Sequence, residues 1–251
     1  MQKRVPALLL AGALTLAGTS CSDDDKKSGG KTGSPEEVIA AAKTALDETS
    51  GVEVSLSTGE LPEGITAIKK ATGVGVHPSA FEGDLDLNYT GLPTSAEVIA
   101  VDGTTYIKNA LLFPDWTEFD PEEFKTPDPS TLMTPDAGFS ALLSATTGLE
   151  EGDRTRCSKN NTDEADSYTG TLTGDAMSGL IPGSEGDFEV SYNVNDDGEL
   201  CSAELTGAFY GEGNGELTYT LTLDEYGTEK DITAPCAART LSTPSRPTRA
   251  V

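Results

Sequence analysis

The chain has 251 residues, of which 42 are acidic and 17 are basic, so its formal net charge at pH 7 is −25. A surface this negative repels phosphate backbones, which excludes the usual classes of nucleic-acid-binding protein. Once the polar ends of the chain are set aside, about 200 residues remain, enough for one domain with a substantial core.

The first 20 residues predict a lipoprotein signal peptide. Lys3 and Arg4 precede an uncharged apolar run over 5–17, and three small residues separate that run from Cys21. The run has about 13 residues, whereas a membrane-spanning helix needs roughly 20. A cysteine just after such a site can be diacylated in bacteria, and two acyl chains hold a protein at a membrane. We therefore expect Cys21 to be the lipidation site of a protein held on the outer, periplasmic or extracellular, face of the cytoplasmic membrane. The alternative is a secreted protein with an incidental cysteine.

The residues after Cys21 predict one folded domain between two polar segments. Residues 21–34 are rich in Ser, Gly, Asp and Lys, the composition of a flexible tether. Residues 237–251 are rich in Pro, Ser, Thr and Arg and predict a disordered tail. Residues 35–236 carry the periodic apolar patterns of a globular domain.

Two helices and a short third one are predicted from capping and apolar periodicity. Ser34-Pro35-Glu36-Glu37 combines an N-cap serine, a proline at the first helical position and a glutamate three residues past the cap. Apolar residues then recur at helical spacing over 38–46, and Gly51 follows the helix. Apolar periodicity over 139–146 predicts a second helix, and 176–181 a further helical turn.

Most of the remaining domain predicts strands. Apolar and polar residues alternate strictly in four segments, so each strand has one buried and one solvated face: 52–57, 84–89, 188–194 and 217–223. Turn signals such as Asp102-Gly103 and Asp197-Gly198 separate five weaker segments: 68–77, 95–102, 104–109, 166–174 and 199–210. The sequence thus predicts an α+β fold built on an antiparallel meander of about nine strands.

This sheet has a larger apolar face than its helices can cover. Nine strands about 4.8 Å apart, each about seven residues long, give a face of roughly 1,000 Å². The two helices cover only about 360 Å². An apolar ligand or a second copy of the chain could cover the rest of this apolar face, or the proline-rich loop over 114–135 could fill it. Small residues predicted on this face favour open space: Gly170, Ala203 and Gly207.

The sequence offers little to catalysis or to a metal ion. It contains no G-x-S-x-G, H-E-x-x-H or P-loop motif, and its one histidine is His77. The stretch from Asn193 to Glu204 approaches a calcium-binding loop, but strands run into and out of Asp197-Gly198, so a hairpin turn explains it more simply. We therefore expect no enzymatic activity, no metal site and no cofactor.

Three cysteines remain beyond Cys21. They are Cys157, Cys201 and Cys236. Two of them are expected to form a disulfide in an exported protein, because the envelope is oxidising. The sequence leaves open which two.

A series of short motifs resembles a known family. They follow one another in this order: Val101-Asp102-Gly103-Thr104-Thr105-Tyr106, Trp116, Phe119-Asp120-Pro121, Pro127-Asp128-Pro129, Thr134-Pro135-Asp136-Ala137-Gly138-Phe139 and Leu142-Leu143. Together they are similar to the mycobacterial and actinobacterial lipid-binding lipoproteins grouped as LppX/LprAFG, over about residues 35–234.

The resemblance implies a fold and a function. The fold would be a curved antiparallel half-barrel with helices on its concave face, enclosing an apolar pocket. The function would be to bind a glycolipid, phospholipid or triacylglycerol with two or three acyl chains and carry it across the envelope, with a membrane lipid exporter as a partner. Strand alternation and the family match predict these pocket-lining residues: Leu85, Leu87, Tyr89, Val190, Tyr192, Leu221, Phe139 and Leu142. The alternative is an envelope lipoprotein that acts as a protein-interaction module and carries nothing.

Overall fold

A computed structural model of the chain describes residues 33–62, 64–124, 126–135 and 137–240. The predicted signal peptide, Cys21, nearly all of the predicted tether and residues 241–251 of the predicted tail lie outside the described residues.

Helices are few and mostly short, and the first is the longest. The α-helices are α1 (Pro35–Glu48), α2 (Pro121–Phe124), α3 (Phe139–Ala145) and α4 (Gly174–Ser178), and Pro129–Thr131 and Glu212–Asn214 form 3-10 turns. The predicted capping box of α1 is confirmed, because the Ser34 side chain accepts from the Glu37 N–H and the Glu37 side chain accepts from the Ser34 N–H. The apolar periodicity over 139–146 falls on α3, whereas the helical turn predicted over 176–181 overlaps α4 only at 176–178.

Eleven strands are described. They are β1 (Gly51–Thr58), β2 (Ala67–Val76), β3 (Ala80–Tyr89), β4 (Leu92–Val101), β5 (Thr104–Asn109), β6 (Phe113–Phe119), β7 (Thr147–Cys157), β8 (Asp163–Leu172), β9 (Glu185–Asn195), β10 (Leu200–Ala208) and β11 (Leu217–Asp224). The hairpin predicted at Asp197-Gly198 joins β9 to β10.

All eleven strands form one open antiparallel sheet. Its order is β6-β5-β4-β3-β2-β1-β11-β10-β9-β8-β7, so two meanders meet where β1 pairs with β11. The prediction of about nine strands was two short, and both missing strands, β6 and β7, are the edges of the sheet. A segment over 120–146 connects these two edges and contains α2, a 3-10 turn and α3.

The two edge strands were not predicted because an edge strand does not need the strict apolar and polar alternation that marks the inner strands. β6 contains Pro114, which lacks an N–H group, and its register against β5 shifts between Ile107 and Asn109. β7 is mostly polar and solvent-exposed, and its register against β8 shifts twice. Residues near the end of the described chain cover β6, since the Arg239 N–H donates to the Trp116 carbonyl and its carbonyl accepts from the Glu118 N–H.

The two ends of the sheet are named here by their turns. The tip end carries the β1–β2, β3–β4 and β5–β6 turns, and the opposite end carries the β2–β3 and β4–β5 turns. In the second meander, α4 and the β10–β11 turn lie at the tip end, while the β7–β8 and β9–β10 turns lie at the opposite end.

The disulfide joins Cys157 to Cys201, and Cys236 is free and exposed. Cys157 ends β7 and Cys201 lies at the start of β10, with β8 and β9 between these strands in the sheet. Three strand spacings would separate the two Cα atoms by about 14 Å in a flat sheet. The observed separation is 5.8 Å. The end of the β7–β8 hairpin therefore bends across the sheet face.

Candidate functional site

The inner face of the sheet, defined as the face that packs against α1 and α3, holds the main hydrophobic core. One row of paired residues crosses eight strands on this face and is apolar throughout: Tyr168, Tyr192, Ala203, Leu221, Leu56, Ala71, Leu85 and Ala96. The row arises because the alternation of each strand is in register with that of its neighbours. It gives the protein a continuous apolar surface from β8 to β4.

Helices fill the part of this face that belongs to the second meander. Val38, Ile39 and Leu46 of α1 and Leu142 and Leu143 of α3 are buried in the same cluster as the sheet residues. Helix α1 contacts β7, β9 and β10 as well as α3. This half of the inner face is a packed core.

A buried hydroxyl pair ties α3 to the sheet in this core. The Tyr192 hydroxyl lies 2.8 Å from Thr146 Oγ1, which in turn donates to the Leu142 carbonyl at 2.9 Å. Burial raises the pKa of Tyr192 to about 12, against a smaller opposite effect of its hydrogen bond to Thr146. The neutral tyrosine therefore satisfies its polar group within the core.

The small residues on the inner face do not leave open space, which corrects the expectation drawn from them. A Cβ atom on Gly207 would lie 2.4 Å from the Phe188 ring, and one on Gly170 would lie 2.5 Å from Thr146 Cγ2. Gly73 and Gly83, which are cross-strand partners, lie under the ring of Phe81 in the same way. Neighbouring side chains occupy the room that these glycines provide.

The inner face opens towards the tip end of the first meander. Along β3, Phe81 is 3% exposed, Leu85 and Leu87 are partly buried, and Tyr89 is 38% exposed. Along β4, Val98 is 2% exposed and Leu92 is 60% exposed. The 3-10 turn at 129–131 contacts β3, β4 and β5, and its capping residue Asp128 accepts from Thr105 at the opposite end. The connecting segment thus covers one end of these strands more than the other.

Partly buried apolar side chains occur on β1, β3 and β5 and on the segment that connects the two sheet edges, and they are grouped under one name. The mouth band comprises Leu56, Leu85, Leu87, Ile107, Leu132 and Phe139. Five of its members pack against the main core. A band of this kind, neither fully buried nor freely exposed, is where an apolar ligand could bind with the least rearrangement.

The structure separates the eight predicted pocket-lining residues into two groups. Four lie inside the packed core: Val190, Tyr192, Leu221 and Leu142. Three others lie in the mouth band and Tyr89 lies at its rim: Leu85, Leu87, Phe139 and Tyr89. Three members of the mouth band were not predicted to line the pocket: Leu56, Ile107 and Leu132. The first two belong to predicted strands, whereas Leu132 lies in the proline-rich segment, where no periodicity marks it.

The outer face carries a polar cleft of about 580 Å³. Ion pairs between strand residues and residues outside the strands border it, including Lys159 with Glu53 and Lys230 with Glu82, both at 3.3 Å. Trp116 also lines the cleft, with the Lys108 ammonium 5.7 Å from its ring centroid. A second cavity of about 460 Å³ borders Arg154 and Glu164 at the β7–β8 hairpin. Both cavities are unsuited to acyl chains because charged groups line them.

The described residues contain neither a metal-ligand cluster nor a helix that could span a bilayer. Within 33–62, 64–124, 126–135 and 137–240, no cluster of three or more His, Cys, Asp or Glu side chains is placed to hold a metal ion. No helix in that part of the chain is both long and apolar enough to span a bilayer. The His77 ring nitrogen Nε2 lies 2.9 Å from the Leu46 carbonyl, so it ties the end of α1 to the β2–β3 turn.

Solved structures share this fold. LprF from Mycobacterium bovis superposes with a TM-score of 0.63 at 14% sequence identity, covering 81% of this chain and 97% of that one. LppX from Mycobacterium tuberculosis gives a TM-score of 0.58 at 18% identity, covering 79% of this chain and 98% of that one. No curated protein matches the sequence closely enough to count as a relative.

The sequence profile of a family described as LppX_LprAFG lipoprotein matches residues 34–234. This range contains α1 and all eleven described strands, so the match covers the whole sheet. It also confirms the resemblance drawn from the short motifs between Val101 and Leu143. The chain belongs to the LppX_LprAFG lipoprotein family.

Proposed function

We propose that the protein binds the acyl chains of a membrane lipid on its inner face, entering through the mouth band, and carries that lipid across the cell envelope. Membership in this lipoprotein family supports a lipid-binding role and attachment to a membrane of the envelope. The proposed attachment point is Cys21, and the proposed ligand has two or three acyl chains. The protein acts by binding, with no catalytic step and no cofactor.

The gradient of burial along β3 and β4 carries this proposal. Along these strands Phe81 and Val98 are buried, whereas Tyr89 and Leu92 are exposed. In the row that crosses the sheet, Leu56 and Leu85 are only partly buried, while the smaller Ala71 and Ala96 are buried. A ligand therefore meets an apolar surface that already continues into the core. Each CH₂ group that leaves water on this surface contributes about 0.8 kcal/mol.

Entry of an acyl chain requires side chains of the mouth band to move apart. Leu132 and Phe139 belong to the connecting segment, whereas Leu85 and Ile107 belong to the sheet. The connecting segment joins the two edges of the sheet and covers the first meander mainly through one 3-10 turn. We expect acyl chains to pass between this segment and strands β3–β5.

Two tryptophan variants on β3 test the site. Leu85→Trp fills the mouth band from the inner face, while Asp84→Trp places the same side chain on the exposed outer face. We expect Leu85→Trp to weaken binding of a fluorescent diacyl lipid by about tenfold or more. A tenfold loss corresponds to about 1.4 kcal/mol of binding free energy, roughly the contribution of two CH₂ groups that the new ring displaces. Asp84→Trp should bind like the wild type. Unchanged binding by a folded Leu85→Trp protein, or loss only in Asp84→Trp, would contradict the proposed site.

The packed core favours one second candidate. Val190, Tyr192 and Leu221 are each at most 3% exposed, so the half of the inner face over β9–β11 is closed. A lipoprotein with a filled core could act as a protein-interaction module in the envelope without carrying a lipid. The two functions differ in a simple respect, since a module would be purified without a bound lipid.

A further inference from the structure

Four large hydrophobic side chains are exposed among the described residues, and all four lie on two neighbouring turns. Leu92 is 60% exposed and Tyr89 38% at the β3–β4 turn, while Leu111 is 67% exposed and Leu112 44% at the β5–β6 turn. Both turns lie at the tip end of the sheet, beside the opening of the inner face. We name these four residues the apolar rim.

The rim lies in a stretch without charge on a strongly acidic protein. Residues 87–95 and 109–114 contain no Asp, Glu, Lys or Arg, although the whole chain is 24% charged. Most other turns carry charge, although the β2–β3 turn over 77–79 at the opposite end does not. Asp102, Asp197 and Glu225 lie at the opposite end, and Glu212 lies in the β10–β11 turn. The two turns that carry the rim therefore combine exposed apolar side chains with an absence of charge, so an anionic bilayer would repel them little.

The turn that carries Leu111 and Leu112 is already satisfied by hydrogen bonds. Asn109, which is buried, accepts from the Leu111 and Leu112 N–H groups through Oδ1 at 2.9 and 3.0 Å. Its amide donates to Thr94 Oγ1 at 2.8 Å and to the Ser95 carbonyl at 2.6 Å. One side chain thus ties the β5–β6 turn to strand β4 and pairs backbone groups that would otherwise be costly to remove from water.

Elsewhere on the inner face most large apolar side chains are covered by helices and loops. The apolar side chains of these two turns are exposed to solvent. On β3 and β4 the rim residues Tyr89 and Leu92 continue the inner-face positions of Leu87 and Thr94. On β3 the apolar surface therefore continues from Leu87 in the mouth band to Tyr89 and its partner Leu92 in the rim, beside the hydrogen-bonded pair Thr94 and Asn109. A lipid leaving a bilayer could follow this surface without exposing its acyl chains to water.

We propose that the apolar rim docks on the lipid bilayer, inserting Leu111 and Leu112 among the acyl chains so that the mouth band faces the membrane. The role of docking in lipid uptake rests on the proposed function, whereas docking itself requires only the apolar rim. The predicted tether of about 14 residues has a flexible reach of roughly 20 Å, so an anchored domain would remain close to the membrane.

Site-specific labelling of the full-length, acylated protein in vesicles tests the docking. The vesicles contain phosphatidylcholine with a minor fraction of phosphatidylglycerol. In a Cys236→Ser background, an environment-sensitive dye is attached to Leu111→Cys or, as the matched control, to the exposed turn position Asp197→Cys at the opposite end. We expect a blue shift and quenching by lipids with brominated acyl chains at position 111 but not at position 197. A dye at 111 that stays in water, or equal quenching at both positions, would overturn the proposal.

A charge variant connects docking with lipid uptake. Leu111→Asp/Leu112→Asp should slow the loading of a fluorescent lipid from these vesicles by about tenfold or more, because a carboxylate is costly among acyl chains. Ser79→Asp at the β2–β3 turn is the control and should load at the rate of the wild type. Bound lipid with no docking at 111 would overturn this inference and leave the proposed function intact. Docking at 111 in a protein that never holds a lipid would support this inference and contradict the proposed function.

Discussion

Removing the Cys157–Cys201 disulfide should destabilise the domain strongly. The bridge closes a loop with a sequence separation of 44 residues. Loop-closure entropy for a loop of this length corresponds to about 4 kcal/mol at 25 °C. Both sulfur atoms lie in a small buried cluster with Ala165, so the Cys157→Ala/Cys201→Ala variant introduces no buried polar group. The double variant should therefore lose most of this stabilisation.

Urea denaturation followed by circular dichroism measures the effect. With an m-value of about 2 kcal/mol/M, the midpoint should fall by about 2 M urea. In a domain of this size each kcal/mol shifts Tm by about 2–4 °C, so Tm should fall by roughly 10 °C. Cys236→Ala is the matched control, because that thiol is free and exposed, and it should change the free energy of unfolding by less than about 0.5 kcal/mol.

A loss below about 1 kcal/mol in the double variant, with an unchanged m-value, would refute this reasoning. It would mean that other contacts hold the β7–β8 hairpin across the sheet. The candidates are the hydrogen bonds from the Lys159 N–H to the Asp224 carboxylate, at 3.0 and 3.1 Å, and the ion pair of Arg154 with Asp196 at 2.8 Å.

Two further predictions concern the core. Gly73→Ala should cost roughly 1–3 kcal/mol, because its Cβ would lie 2.5 Å from the Glu82 carbonyl oxygen, whereas Gly59→Ala meets open space and should be neutral or slightly stabilising in the same urea titration. Equal effects at both glycines would contradict the packing described for the inner face. The raised pKa of Tyr192 favours its neutral form in the folded state, so its contribution is complete below pH 10 and is lost as pH rises through about 12. Urea denaturation followed by circular dichroism at several pH values should show that the difference in the free energy of unfolding between the wild type and Tyr192→Phe narrows above pH 10. A difference that stays constant would refute the raised pKa of Tyr192.

Much of the fold follows from local pattern. The strict alternation over 188–194 and 217–223 predicts β9 and β11, because each has one buried and one solvated face. The Ser34 capping box predicts the start of α1 to the residue. Both signals are local, so no knowledge of the tertiary structure is needed to detect them.

What could not be predicted depends on contacts between distant residues. β6 and β7 are edge strands, and an edge strand can contain proline, polar residues and register shifts because only one of its sides is paired within the sheet. The pairing of Cys157 with Cys201 depends on the bend of the β7–β8 hairpin, which no local spacing reveals. The glycines of the inner face give no sign in the sequence that Phe81 and Phe188 lie over them.

The candidate site was predicted only in outline. Alternation identifies Leu85 and Val190 as inward-facing residues, but it cannot tell which of them a helix covers. Val190 proved to be in the core and Leu85 in the mouth band. The apolar rim was not predicted as a surface. Its turns are uncharged in an acidic chain, but so is the β2–β3 turn, and only the strand order shows that the β3–β4 and β5–β6 turns meet at one corner of the sheet.

Native mass spectrometry of the protein purified from the membranes of its own host tests lipid carriage most directly. The account predicts a bound lipid with two or three acyl chains in the wild type and in Asp84→Trp, and its depletion in Leu85→Trp. A wild-type protein that is folded, with its disulfide intact, and yet never carries a lipid would contradict the account and favour the interaction module.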